Sequence, residues 1–238
     1  MRYFRAFSLA FSMMSIIPFF KVHHFFKGIN GYSAMFYPLV GFILGSLLYF
    51  LSVFLEPYTP STHLGVIIFC AWVILTGAIH LDGFSDSVDG LFVNKEKALS
   101  VMKDSHVGGM GMIFSVVFLI FKVSSLIYAN AYYLLPVILM LSRLNATFAI
   151  YMYRYISSGV GELIKDELKL SYLIVSLIFG FILSYIFSFV GGFFISLITL
   201  FLIGGFFTKR LGGVNGDIYG FIIECSELVL LNYIIFTS

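Results

Sequence analysis

Between Lys27 and Asp82 the chain runs for more than fifty residues with a single charged side chain, Glu56. Long apolar stretches continue beyond it, and hydrophobic residues make up 60% of the 238 residues against 11% charged residues. A soluble domain averages about 45–50% apolar and about 25% charged residues. A soluble fold of this size could not bury so much apolar surface, so we predict that lipid solvates part of it.

Seven stretches are long and apolar enough to cross a hydrocarbon core about 30 Å thick. The run 6–20 is shorter, ends at Pro18 and lies among basic residues, which favours an interfacial or re-entrant helix over an eighth span. We predict an all-α integral membrane protein, one domain over 1–238, built as a single bundle of about seven transmembrane helices. The expected spans lie near 37–56, 64–80, 110–128, 132–153, 171–188, 190–207 and 218–236.

Basic residues fall on one side of this seven-span arrangement. Twelve of the fourteen lysines and arginines lie before the first span or in the loops 81–109, 154–170 and 208–217. By the positive-inside rule that side faces the cytoplasm. We therefore expect a multi-pass protein of the cell (cytoplasmic) membrane, with the lipid bilayer as one partner and these loops on the cytoplasmic side.

The remaining composition excludes several classes of protein. The net charge is +2 and no basic run is dense, so nucleic acid is not an expected partner. Cys70 and Cys225 lie far apart in apolar runs, which predicts neither a disulfide framework nor a zinc site. The sequence leaves the oligomeric state open, a homo-oligomer included.

The stretch HLDGFSDSVDG, residues 80–90, places three aspartates on one stripe of an α-helix, because Asp82, Asp86 and Asp89 stand at i, i+4 and i+7. Two ionised carboxylates about 6 Å apart repel by about 3 kcal/mol at an effective dielectric constant near 20. Carboxylate oxygens favour hard cations such as Mg²⁺ or Mn²⁺. We predict that these aspartates bind metal, against the simpler alternative of a solvated acidic loop.

Residues beside the aspartates are further candidates. Gly83 and Gly90 directly follow the first and third aspartates, and glycine lets an anionic group approach the backbone closely. Asp104, at the far end of the same loop, is a candidate ligand or catalytic base, and glycines in 108–111 would leave the chain pliable or cradle an anion. His80 is a second candidate for ligand orientation or proton transfer, with a plain helix-end histidine as an equal alternative.

Charged residues also lie inside the expected spans. Lys122 and Arg143 are each near mid-span, where burial costs at least about 2.5 kcal/mol. We predict that both bind substrate phosphate, and the alternative is a structural ion pair. On the last span, Asp217 is a candidate metal ligand, while Glu224 and Glu227 are supporting candidates. Glu224 lies two turns into an apolar run and needs a cation or a basic partner, which Lys122 or Arg143 would supply.

Acids for a divalent cation, buried basic residues and a cytoplasmic membrane mouth together indicate phosphoryl-group transfer. The membrane setting indicates at least one bulky or amphiphilic substrate.

Three motifs carry a family resemblance: HLDGFSDSVDGL, then MKDSHVGGMG, then GGVNGDIYGFIIECSEL near the end. FYPLVGFILG at 36–45 and the single Lys122 and Arg143 also fit, in order and at similar spacing. Over nearly its whole length the chain resembles the cobalamin synthase family, the adenosylcobinamide-GDP ribazoletransferases. It departs from the family pattern at His106, where an arginine is usual.

The resemblance implies an Mg²⁺-dependent membrane transferase that catalyses the last assembly step of cobamide biosynthesis. It would join adenosylcobinamide-GDP to α-ribazole or its 5′-phosphate, releasing GMP and forming adenosylcobalamin or its phosphate. Asp82, Asp86 and Asp89 would hold Mg²⁺ on the diphosphate, with Asp104 or Asp217 completing the shell. Lys122 and Arg143 would bind phosphate oxygens, and Asp104 or His80 would be the base.

Two alternatives belong to other classes. A CDP-alcohol phosphotransferase of phospholipid synthesis requires Ala-Arg soon after the first Asp-Gly and two further aspartates four apart. This chain has Ser85-Asp86 at that point and lacks the distal pair. A divalent-cation transporter would have acids near the membrane midplane on several spans, whereas the densest acidic cluster here lies at the end of an expected span.

Overall fold

The computed structural model describes residues 1–17 and 19–237, and within these residues the regular structure is helical apart from one isolated bridge between Tyr155 and Val214. Short 3₁₀ turns at Glu56–Tyr58 and Tyr132–Leu134 lie between helices. This confirms the predicted all-α class. The α-helices in chain order are α1 (Arg2–Met14), α2 (Ile29–Leu55), α3 (Ser61–Thr76), α4 (Ile79–Leu91), α5 (Lys95–Met102), α6 (Gly109–Ala129), α7 (Leu135–Met152), α8 (Val160–Glu167), α9 (Leu170–Ile186), α10 (Val190–Leu211) and α11 (Gly216–Thr237).

Five helical segments of the described chain are long and apolar enough to cross a membrane alone: 29–58, 109–129, 132–152, 190–211 and 216–237. The other two expected spans belong to bent helix pairs. α3 and α4 are bent by 84°, and α8 and α9 by 92°, each across a short break. The described residues therefore hold five candidate spans, or seven if each bent pair counts as one, in agreement with an integral membrane bundle.

α1 ends at Met14, four residues before Pro18, which lies outside the described residues. Its thirteen residues rise about 20 Å at 1.5 Å per residue, too little to cross a core about 30 Å thick. Ala6, Ala10 and Phe11 are buried on its inner face. Just after the helix, the Ile16 amide donates to the Leu75 carbonyl at 3.1 Å. α1 is thus anchored to the bundle, and its position in the membrane interface stays a prediction.

α7 is the central helix of the bundle. Nearly all of its side chains are buried, the polar Ser142, Arg143, Asn145 and Thr147 included, and it packs against α2, α9, α10 and α11. α6 is more apolar than α7, yet a much smaller share of its residues is buried. This distribution is expected in lipid, where apolar side chains can face outward and polar side chains must find partners inside.

Two glycines of α2 let it lie against α7 at backbone distance. A Cβ atom at Gly41 would collide with the carbonyl oxygen of Leu139, and one at Gly45 with that of Leu135. The four-residue spacing places both glycines on one face of α2, a pattern typical of close helix packing in membranes. This contact accounts for the GFILG part of the FYPLVGFILG segment.

The α2–α7 contact yields a stability prediction. Gly45→Leu should destabilise the bundle by about 1–3 kcal/mol, because the leucine side chain must displace backbone atoms rather than a flexible side chain. The matched control is Gly205→Leu, since a Cβ at Gly205 meets no heavy atom within 4 Å. Heating the detergent-purified variants before size-exclusion chromatography measures the difference. Equal thermal resistance of the two variants would contradict the packing role.

Candidate functional site

α4 carries the three aspartates of the HLDGFSDSVDG stretch along one helix, as their spacing predicts. The apolar run before it does not continue straight to residue 80. Gly77 takes a left-handed conformation with φ 63° and ends α3, and Ala78 follows with φ 54°. α4 therefore leaves the direction of α3 by 84° and carries its aspartates along the end of the bundle.

α4 and α11 cross at backbone contact. A Cβ at Gly83 would lie 2.8 Å from the carbonyl oxygen of Asp217, and a Cβ at Gly220 would lie 2.8 Å from that of His80. Because neither crossing position carries a side chain, Asp217 at the start of α11 lies beside the aspartates of α4. The structure thus brings together acids that are more than 120 residues apart in sequence.

The close crossing corrects the interpretation of two glycines. The missing side chain of Gly83 makes room for α11 rather than for a substrate anion. Gly90 likewise faces α5, where an added Cβ would lie 2.7 Å from Cγ of Met102. Both glycines serve helix packing and support the site only indirectly.

Asp82, Asp86 and Asp217 form what we call the acid cluster. Asp86 is half-buried, and the carboxylates of Asp82, Asp217 and Asp89 are all close enough to act on it electrostatically. Among the described residues, Asp82 and Asp86 form no ion pair and their carboxylates accept no hydrogen bond. Asp217 Oδ2 accepts a hydrogen bond from Asn215 Nδ2 at 2.8 Å. The cluster therefore carries negative charge that the described chain leaves largely uncompensated.

Asp89 has a different environment. It is buried, and its Oδ2 and Oδ1 accept hydrogen bonds from the backbone N–H groups of Gly108 and Gly111, each at 2.8 Å. These amides lie at the N-terminus of α6, where an anion is stabilised by unpaired N–H groups and the helix dipole. The glycine-rich segment does cradle an anion, and that anion is the carboxylate of Asp89. Asp89 thereby fixes the loop 103–108 against α4.

The described residues contain no group of three or more His, Cys, Asp or Glu side chains arranged closely enough to hold a metal ion. The chemistry of the donors nevertheless fits a hard divalent cation, because the acid cluster offers three carboxylates that form no ion pair among the described residues. The metal-binding roles predicted for these residues stay predictions.

Asp104 lies in the exposed loop 103–108 and pairs with His106. Its Oδ1 accepts a hydrogen bond from the backbone N–H of His106 at 3.0 Å and lies 2.8 Å from Nδ1 of the same residue. The backbone N–H, and after it the imidazole, hold the pKa of Asp104 below its ordinary value. The carboxylate is therefore ionised at neutral pH and is a weaker base than an unpaired aspartate. The preceding residue, Lys103, is exposed and acts electrostatically on Asp217.

Lys122 and Arg143 lie in a buried ion network with both glutamates of α11. Lys122 Nζ lies 2.6 Å from Glu224 Oε2 and 2.5 Å from Glu227 Oε2. Arg143 Nη1 pairs with Glu227 Oε1 and donates to Ser142 Oγ at 2.8 Å. The indole ring of Trp72 packs on Lys122 with Nζ 4.5 Å from its centroid. Two positive and two negative charges thus balance inside the bundle.

This network is the structural ion pair that the sequence left as the alternative. Lys122 is 3% exposed and Arg143 is fully buried, so neither side chain is accessible to a phosphate group at the surface of the bundle. The glutamates already neutralise both cations. Nε and Nη2 of Arg143 are nevertheless buried without a hydrogen-bond partner among the described residues. Phosphate binding by Lys122 and Arg143 stays a prediction, whereas the expectation that Glu224 has a basic partner is confirmed.

His80 is buried at the start of α4, and its Nε2 has no hydrogen-bond partner among the described residues. It lines a cavity together with the first turns of α11. The electrostatic neighbours of its ring include Arg143, Glu227 and Lys122. His80 is therefore located between the ion network and the acid cluster.

Sequence reasoning missed two residues of this region. Asn215 is buried, donates to Asp217, and accepts the Ile218 backbone N–H at 3.0 Å, which caps the N-terminus of α11. The asparagine before an apolar helix is a recognisable capping signal. Lys103 had a weaker signal, its position next to Asp104 in the MKDSHVGGMG motif.

Comparison with known proteins points to one family. Residues 6–235 match the cobalamin-5-phosphate synthase family. The chain is 33% identical over 216 residues to an adenosylcobinamide-GDP ribazoletransferase of Brevibacillus brevis, covering 84% of this chain and 85% of that protein. Proteins of the same name are 33% identical in Desulfitobacterium hafniense, covering 84% of each chain, and 35% identical in Thermosynechococcus vestitus, covering 82% of each. No solved structure matches the chain.

The ion network yields a prediction that separates structural from substrate-binding roles. Lys122→Met should destabilise the bundle by about 3–5 kcal/mol, because it leaves Glu224 and Glu227 with one cation between them. Adding Glu224→Met restores neutrality and should recover part of that stability. Thermal unfolding in detergent compares the two variants. A stable Lys122→Met protein that only fails to bind substrate would contradict the structural role.

Asp89 yields a second prediction. Asp89→Asn replaces one acceptor oxygen by an NH₂ group, so the amides of Gly108 or Gly111 should exchange hydrogen about tenfold faster. Asp86→Asn, one turn away on the same helix, is the control and should leave these amides protected. Hydrogen–deuterium exchange with mass spectrometry reads both. Unchanged exchange in Asp89→Asn would show that the carboxylate does not hold the loop.

Proposed function

Because the chain belongs to the cobalamin-5-phosphate synthase family, we propose that it joins adenosylcobinamide-GDP to α-ribazole or its 5′-phosphate and releases GMP. The product is adenosylcobalamin or its phosphate, which makes this the last assembly step of cobamide biosynthesis. The observation that carries the proposal is the uncompensated acid cluster at the α4–α11 crossing, within a chain that matches this family over 6–235. The names of the relatives support the choice of substrates.

The reaction exchanges the phosphoanhydride bond of the diphosphate for a phosphate ester bond to the ribose. The 3′-hydroxyl oxygen of the ribazole ribose attacks the phosphorus attached to the cobinamide side. The bond from that phosphorus to the bridging oxygen breaks, and GMP leaves with the oxygen. Positioning the two reactants and stabilising charge on the phosphate oxygens are the main demands of such a transfer.

Asp82, Asp86 and Asp217 would hold the divalent cation, with Mg²⁺ as the proposed cofactor. When bound, such an ion neutralises charge on a diphosphate and on its leaving group. Asp89 would support the site without binding the ion, because its carboxylate accepts hydrogen bonds from the amides that fix the loop 103–108. Lys103 on this loop takes over the phosphate-binding role, since it is exposed and acts on Asp217.

Asp104 and His80 remain the two candidates to accept the hydroxyl proton. Asp104 is exposed and has the lowered pKa described above, which weakens it as a base and suits it to orienting a hydroxyl group or binding a cation. His80 is buried, and its Nε2 has no partner among the described residues. Because Asp104 is exposed and His80 is buried, we expect Asp104→Asn and His80→Gln to change the pH dependence of turnover in different ways.

The enzyme is a multi-pass membrane protein, and we place it in the cytoplasmic membrane with its site facing the cytoplasm. The support is the seven-span arrangement expected from the sequence, which puts twelve of the fourteen basic residues on the same side as the loop 103–108. Glu224 and Glu227 lie deeper, but Lys122 and Arg143 neutralise them, which disfavours a cation pathway through the bundle.

The proposal predicts GMP release from adenosylcobinamide-GDP and α-ribazole by the purified protein, lost on chelation and restored by Mg²⁺. Asp86→Asn should lower turnover by about 100-fold, because it removes a negatively charged donor from the cluster. Asp166→Asn is the matched control, an exposed aspartate on α8 outside the cluster. Full Mg²⁺-dependent activity of Asp86→Asn would refute the assigned site. Release of CMP from a CDP-alcohol instead would replace the proposed reaction.

A further inference from the structure

A cavity of about 230 Å³ lies beside the acid cluster, on the other side of the α4–α11 crossing. Six helices contribute to its wall: α1, α2, α4, α7, α8 and α11. Most of the lining is apolar, with Met14, Ile150 and Ile223 among its residues, and Tyr37 and Tyr219 add aromatic rings. The cavity is thus a largely apolar space at the end of the bundle where α11 begins.

Residues close in sequence to the acid cluster line this cavity. His80 and Tyr219 line the cavity, and they lie two residues before Asp82 and two residues after Asp217 respectively. Residues two apart on a helix are about 3 Å apart along its axis but about 200° apart around it, so the cavity and the carboxylates lie on opposite sides of the two helices. An α-helix is about 10 Å across with its side chains, and a ligand in the cavity has to span about that distance to reach the carboxylates.

Two buried polar atoms of the wall residues lack a hydrogen-bond partner among the described residues: Nε2 of His80 and the hydroxyl of Tyr219. The two residues are 5% and 8% exposed. Buried polar atoms are nearly always paired, because leaving them unpaired costs the free energy of their desolvation. A largely apolar ligand with one or two polar atoms would form the missing hydrogen bonds with these two atoms.

We propose that the cavity receives the base of the acceptor nucleoside, a fused bicyclic heteroaromatic ring with apolar edges and one free ring nitrogen. The inference rests on the proposed function, whose ribazole substrate carries a benzimidazole base of this kind. The Tyr219 hydroxyl donates to the ring nitrogen, and the tyrosine rings and aliphatic side chains cover the ring faces. The ribose then lies toward Asp82 and Asp217.

Size and polarity exclude the other parts of the substrates. A cavity of about 150 Å³ lined by aliphatic and aromatic side chains takes up benzene, so 230 Å³ accommodates a bicyclic ring. Pockets for whole drug-sized ligands are about 300–1,000 Å³, so the corrinoid does not fit. Guanine has donors and acceptors on several edges, and most of them would be left unpaired against this wall.

The test uses a variant that adds a side chain at the cavity wall. Gly216 lines the cavity, and a Cβ built there meets no heavy atom of the described residues within 4 Å. Gly216→Leu in the full-length, detergent-purified protein should weaken binding of 5,6-dimethylbenzimidazole at least about tenfold in equilibrium dialysis. It should raise KM for α-ribazole while KM for adenosylcobinamide-GDP stays unchanged. Gly205→Leu on α10 also meets nothing within 4 Å and does not line the cavity, so it should behave as wild type.

A second variant tests the polar contact with the fold intact. Tyr219→Phe keeps the ring and should weaken binding of 1-methylbenzimidazole about two- to tenfold. Binding of 1-methylindole, which lacks the free ring nitrogen, should not change. Equal binding of both probes to wild type and Tyr219→Phe, or wild-type affinity in Gly216→Leu, would overturn the inference.

These binding measurements need no turnover, which separates the two proposals. If wild type binds the base and Gly216→Leu does not, the cavity assignment stands even when no GMP is released, and only the proposed function fails. If GMP is released and Gly216→Leu raises KM for both substrates alike, the proposed function stands and the cavity assignment fails.

Discussion

The buried ion network of Lys122, Glu224, Glu227 and Arg143 joins three helices at a depth where lipid offers no partner for charge. α6 supplies the lysine, α7 the arginine and α11 both glutamates, so the rotation of each helix is set by the need to bring opposite charges together. An ionised side chain turned toward lipid would cost at least about 2.5 kcal/mol, which disfavours helix rotations that break these ion pairs. Once α11 is fixed by the network, its N-terminal turn determines where Asp217 lies and which face meets α4.

The candidate site forms where α11, held by this network, crosses α4. Because Gly83 and Gly220 carry no side chains, the backbones meet, and Asp217 reaches Asp82 and Asp86. The bend at Gly77 is equally necessary, since a straight continuation of α3 would carry the aspartates away from α11. Packing and backbone geometry thus assemble carboxylates that repel one another, and the favourable contacts of the crossing offset that repulsion.

Much of this architecture follows from the sequence, and the limits of that inference have physical causes. Hydropathy and charge placed the spans, and the i, i+4, i+7 spacing placed three aspartates on one helix. The same spacing could not reveal that Asp89 faces amides about twenty residues further along, because the orientation of a side chain depends on what packs against its helix. Lys122 and Arg143 were recognised as buried charges, but their glutamate partners depend on helix rotation. The cavity, whose wall comes from six helices, has no local signal at all.

The acids of this end of the chain differ in what compensates them, and that difference separates their roles. Glu224 and Glu227 have cationic partners, and Asp89 has two backbone amides, so all three stabilise the protein itself. Asp82 and Asp86 have no such partner within the described chain, so these two acids are left free to bind a ligand. On one side of the α4–α11 crossing lies this negative cluster, and on the other lies an apolar cavity whose wall has two polar atoms without a partner among the described residues. One helix crossing thus separates a charged environment from an apolar one.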